Sequence, residues 1–154
     1  MKQKLLITLS LLIAVNSVGQ SPAKIDSVVF CLNKFKVPTG CVATSEYQLK
    51  CDNYSMVWLY MTAQMLQTMP EQFVNQMEQQ TKKFKKEPAT CFLLGKEVKG
   101  YKISFKASKG TTYQLIAYGI ANGQPVLTQL SLGHQPETNE DIPDFPRQII
   151  RLTK

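Results

Sequence analysis

The sequence predicts an α+β fold: an antiparallel sheet with a long central helix and a short C-terminal helix packed on it. Three observations predict it. Tyr101, Ile103 and Phe105 alternate with Lys102, Ser104 and Lys106, the period of a half-buried strand, and Asn122-Gly123 further on is the strongest short hairpin signal. Thr68-Met-Pro-Glu71 reads as a helix start, with a hydroxyl to cap a backbone N–H, a glutamate three residues on and proline in the first turn. Asp144 can cap a final short helix whose Phe145, Ile149, Ile150 and Leu152 pack back on the sheet.

Taken in order, residues 20–27 are polar, and Ser27 to Lys36 reads as a β segment with Val28, Val29, Phe30, Leu32 and Phe35 as its apolar surface. Pro38-Thr-Gly40 turns the chain. Val42 to Leu49 and Met56 to Met61 are further strand regions, with a reversal near Glu46 and a turn at Asp52-Asn53, and Trp58 and Tyr60 read as core filler. The central helix carries Phe73, Val74, Met77 and Phe84 on one face. Glu71 and Glu78 lie toward its start and Lys82, Lys83, Lys85 and Lys86 crowd its end, the order a helix macrodipole favours, and Pro88 stops it. Thr90 to Leu94 is a short strand containing Cys91. After Ser108-Lys-Gly110, the positions Tyr113, Leu115 and Ala117 and then Val126, Thr128, Leu130 and Leu132 complete a three-stranded antiparallel meander. Gly133 to Ile142 is a polar loop.

Residues 1–19 read as a signal peptide. Lys2 and Lys4 precede an apolar run from Leu5 to Val15 that is shorter than the ~20 residues a bilayer span needs, and Ser17-Val18-Gly19 offers small residues for cleavage. Residues 20–154 are then a single exported α+β domain, periplasmic or secreted, without stable membrane insertion after cleavage. Loss of Lys2 and Lys4 leaves 16 basic residues against 11 acidic ones, a charge of +5, with Arg147 and Arg151 the only arginines. Arginine forks are what usually read bases and grip phosphates, so this lysine excess speaks against nucleic acid and for solubility or an acidic protein partner.

Cys41, Cys51, Cys31 and Cys91 make an even count in an oxidising compartment, where two disulfides have three possible pairings. Cys41 and Cys51 flank the reversal near Glu46, so a cross-strand bridge between them is geometrically reasonable and would leave Cys31 with Cys91; four buried thiols are the alternative. No Cys-x-x-Cys is present and His134 is the only imidazole, so no metal set or cofactor is expected. His134 sits in Leu132-Gly-His-Gln-Pro136 and reads as a solvent-facing loop residue, the catalytic alternative being a Cys–His pair with Cys41 or Cys91. Glu137, Glu140, Asp141 and Asp144 lack the spacing of a calcium loop and read as capping and solubilising groups.

Phe35-Lys-Val-Pro-Thr-Gly40, Gly100-Tyr-Lys-Ile-Ser-Phe105 and Phe145-Pro-Arg-Gln-Ile-Ile150 resemble the opening turn, the start of the meander and the terminal helix of the PsbP-like fold family, which includes DcrB-type exported envelope proteins. The resemblance spans most of residues 20–154, with Cys41 standing where the family usually has an aromatic residue. It implies non-catalytic roles in assembly, partner binding or chaperoning, and transfers no binding residues by position. Together with the absence of a catalytic signature, it leads to the expectation of a non-enzymatic protein-binding module of the cell envelope. An immunity protein or inhibitor that neutralises an enzyme or toxin is one form of it; an assembly or maintenance factor of an envelope complex is the alternative. The candidate partner-binding residues are Lys82, Lys83, Lys85 and Lys86, or an exposed sheet face near Lys102, Lys106, Gln114 and Tyr118.

Overall fold

Period-two alternation governs most of this chain, and the computed structural model, which describes residues 24–153, turns it into ten strands among the described residues. The expected signal peptide at residues 1–19 lies outside the described residues. Strands β1 (Ser27–Phe30) and β2 (Asn33–Lys36) form a separate antiparallel hairpin, so the single β segment expected there folds back at Cys31-Leu32. Strands β3 (Cys41–Ser45), β4 (Gln48–Cys51) and β5 (Tyr54–Tyr60) lead to two short helices, α1 (Ala63–Leu66) and α2 (Met69–Gln80). A long meander follows: β6 (Lys82–Leu93), β7 (Lys96–Ala107), β8 (Gly110–Ala121) and β9 (Gln124–Leu132). The chain closes with α3 (Asp144–Arg147) and β10 (Ile150–Arg151). The large sheet has eight antiparallel strands in the order β10-β6-β7-β8-β9-β5-β4-β3.

Strand accounts for 55% of the described residues and helix for 18%, which overturns the α+β expectation: the described residues are mostly β, with a curled sheet and no long central helix. The start at Met69 agrees with the Pro70-Glu71 signal, although Thr68 makes no side-chain cap. The end does not agree. Helix α2 stops at Gln80, where the Thr81 hydroxyl donates to the Met77 carbonyl at 2.8 Å, and Lys82 to Lys86 run on as strand. Strand β7 has twelve residues whose backbone groups need a neighbour, and that demand outweighs the modest helix preference of a lysine run. Pro88, expected as a helix stop, pairs with Tyr101 inside β6. It is tolerated because β10 covers only Phe92 and Leu93, so at Pro88 strand β6 is the edge of the sheet and no ladder bond is lost there.

The terminal helix is also shorter than expected. Asp144 is its first residue rather than its cap and pairs with Arg147, while Ile150 belongs to β10. Phe145, Ile149, Ile150 and Leu152 are nevertheless all buried, as their spacing required.

Both faces of the sheet are covered. On one, the β1–β2 hairpin and the C-terminal segment close over Leu49, Met56, Trp58, Leu115 and Leu130; Phe30 meets Trp58 edge-on at 5.7 Å and Phe35 meets Phe145 at 6.0 Å. On the other, Leu66, Phe73, Val74 and Met77 of α1 and α2 pack on Ile103, Ile116, Tyr118 and Leu127. Two glycines on the first face leave no room for a side chain: an added Cβ at Gly100 would lie 2.5 Å from the Ile116 carbonyl oxygen and 2.6 Å from the Cys91 sulfur, and one at Gly119 would lie 2.4 Å from a Val98 methyl carbon.

Candidate functional site

The β3–β4 hairpin brings Cys41 opposite Cys51, and the two form the expected disulfide with a Cα–Cα distance of 4.2 Å. The companion bridge between Cys31 and Cys91 is not formed. Cys31 lies in the β1–β2 turn and Cys91 in β6 opposite Val98, and both are fully buried thiols. Burial pushes the Cys31 thiol up to about 11, with a hydrogen bond to Tyr60 pulling the other way. Burial pushes the Cys91 thiol up to about 12 against the attraction of Lys102. Neither supplies a thiolate near neutral pH, Cys41 is bridged, and His134 is exposed, so the Cys–His pair does not assemble.

Register sorts the candidate lysines between faces, because directly opposite residues in neighbouring strands share a side of the sheet. Lys82 is opposite Lys106, Lys85 opposite Ser104 and Glu87 opposite Lys102, which places Lys82, Lys85, Lys102 and Lys106 on the side of the β1–β2 hairpin. Lys86, opposite Ile103, points to the helix side instead. There its ammonium donates to Asn75 Oδ1 at 3.2 Å, lies 3.8 Å from Glu78 and sits 5.8 Å above the Tyr101 ring. Lys83 occupies a bulge at φ 54°. Lys102 is paired with Glu137 at 2.6 Å. Lys82, Lys83, Lys85 and Lys106 are all exposed and have no ion pair among the described residues.

Gln114 and Tyr118 do not belong to that exposed face. Gln114 is opposite Ile103 and Tyr118 opposite Leu127, so both point to the helix side, and both are buried. The expectation assumed one wet face along β8, whereas α1 and α2 cover the face that Gln114 and Tyr118 share. Gln114 donates to Ser131 at 3.3 Å, and its carbonyl oxygen has no partner.

Tyr118 instead forms a clasp that no local pattern announces. The same oxygen of Glu71, Oε1, accepts from the Tyr101 hydroxyl at 2.6 Å and the Tyr118 hydroxyl at 2.8 Å, while the two rings stack at 6.3 Å. The hydrogen bonds from Tyr101 and then Tyr118 hold the Glu71 carboxyl below its usual range. Burial first, and then Glu71, raise the Tyr118 hydroxyl. The clasp fastens the start of α2 to the sheet and walls a groove of about 550 Å³ lined by Leu66, Val98, Lys99 and Ile120.

The acidic loop is taken up by the fold. Asp141 Oδ2 accepts from the backbone N–H groups of Glu137 and Thr138, each at 2.9 Å, and Asn139 Oδ1 accepts from Leu152 N at 2.8 Å. Among the described residues, no helix is long and apolar enough to cross a membrane. No protein-family model and no curated protein matches this chain.

Proposed function

We propose that this chain is a non-catalytic protein-binding module acting outside the cytoplasm, in the form of an inhibitor or immunity protein that grips an acidic surface of its target. The observation that carries the reading is the lysine face at one end of the β6–β7 ladder. Lys82 and Lys106 stand directly opposite each other, with Lys85 on the same face. Like charges in directly opposed positions destabilise a sheet, so a sequence optimised for the sheet alone would place an acid or a neutral residue at one of them. An acidic partner supplies the missing counter-charge, and a rigid twelve-residue ladder presents the ammonium groups with little ordering left to do. The Cys41–Cys51 disulfide supports a setting outside the cytoplasm, where such bonds persist.

Affinity capture from an envelope extract of the source cells tests this, comparing wild type with the Lys82→Glu/Lys85→Glu/Lys106→Glu variant. The expected result is a protein retained by wild type and lost by the variant. Identical capture by both forms would remove the lysine face from the account.

A further inference from the structure

We propose that the surface around the β1–β2 turn is a self-association site whose occupant is the same surface on a second copy of this chain. The turn is the most unusual piece of backbone in the fold. Cys31 and Leu32 both take left-handed conformations, with φ 46° and 70°. A two-residue hairpin turn with two such residues is the natural place for Asn-Gly, and a bulky side chain is disfavoured there. The conformation is held from three sides. The Tyr60 hydroxyl accepts from the Cys31 N–H at 2.7 Å and donates to the Val29 carbonyl at 3.4 Å, and the Asn33 and Asn122 amides donate to the Cys31 carbonyl at 3.2 and 3.0 Å. The result is Leu32 held out in water at 72% exposure, on a backbone that asparagine would hold more easily.

Leu32 has apolar company and a hollow beside it. Val29 and Tyr47 are 47% and 49% exposed. A cavity of about 340 Å³ opens between the hairpin and the β3–β4 turn, lined by Val29, Leu32, Glu46, Tyr47, Tyr60 and Gln124. Knob and hollow on one surface are what a two-fold interface requires, since each Leu32 can enter the hollow of the other copy. The charges are self-complementary as well. Lys34 is opposite Val29 on the outer face of the hairpin and Glu46 rims the hollow; neither has an ion pair among the described residues. The two-fold pairing gives Lys34 the Glu46 of the second copy. Asn122 places this surface at the opposite end of β8 from Lys106, so it stands or falls separately from the lysine face.

Sedimentation equilibrium of the purified, disulfide-intact protein tests it. An interface at the small end of the specific range predicts an apparent mass rising toward twice the monomer value between about 1 µM and about 1 mM. Leu32→Asn suits the turn, keeps or raises the melting temperature, and weakens association by about tenfold to hundredfold. Glu46→Lys weakens it too, and Lys34→Glu/Glu46→Lys restores it. A monomer throughout that range, Leu32→Asn associating as wild type does, or a charge swap without recovery would each overturn the proposal.

Discussion

Removing the Glu71 carboxylate should loosen α2 from the sheet by an amount that the clasp geometry allows to be worked out. Two hydroxyls donate to one ionised oxygen at 2.6 and 2.8 Å. Hydrogen bonds to charged groups contribute about 1.5–3 kcal/mol each, and Glu71 is only partly buried, so water screens its charge and the low end of that range applies. Glu71→Ala also leaves the Tyr118 hydroxyl, on a residue only 8% exposed, without its acceptor. The expected loss is about 3 kcal/mol, or roughly 10 °C in melting temperature for a domain of this size. Glu71→Gln keeps an acceptor but not the charge and should lose about 1 kcal/mol. The sign of the pH effect follows from the lowered folded value. The contribution is complete above the ordinary glutamate range near 4.5 and disappears as the pH falls through the depressed folded value. Urea denaturation of wild type and Glu71→Gln from pH 7 to pH 3 measures this. The gap between them should close in acid; a gap that stays constant would show that the carboxylate's charge is not what holds the helix.

Three further outcomes follow from the packing and the thiols. Gly100→Ala drives a methyl group into the Ile116 carbonyl and the Cys91 sulfur and should cost about 3 kcal/mol by thermal melting, among the larger losses for so small a change. Cys41→Ser/Cys51→Ser opens a loop with a sequence separation of 10 residues and should cost about 2–3 kcal/mol in urea titration. Intact mass after iodoacetamide treatment should show Cys31 and Cys91 unlabelled in native protein and both labelled after denaturation without reductant, because both are buried thiols.

The strands of this fold were legible because their signals are local. Asn122-Gly123 turns β8 into β9, the reversal near Glu46 pairs Cys41 with Cys51, and alternation marks Tyr101 to Phe105. The end of the helix is not legible in the sequence, because Lys82 to Lys86 suits a helix end as well as it suits a sheet edge, and only the strand beside it decides between them. Pro88 and the apolar run after it were the available hint. The burial of Tyr118 and Gln114 does not follow from alternation, which distinguishes two faces but not which is dry; the unbroken run Leu115-Ile116-Ala117 is the signal of a strand covered on both sides. The Glu71 clasp joins residues 30 and 47 positions apart, and nothing short-range connects them. The lysines shared by Lys82 and Lys106 were visible as residues but not as neighbours, since a bulge at Lys83 sets the register that brings them together.

Titration calorimetry between this protein and its captured partner, at about 50 mM and about 300 mM salt, probes the lysine face most directly. For wild type the affinity should fall steeply with salt, and Lys82→Glu/Lys85→Glu/Lys106→Glu should bind weakly with a flattened salt dependence. Equal affinity for both forms at both salt concentrations would contradict it.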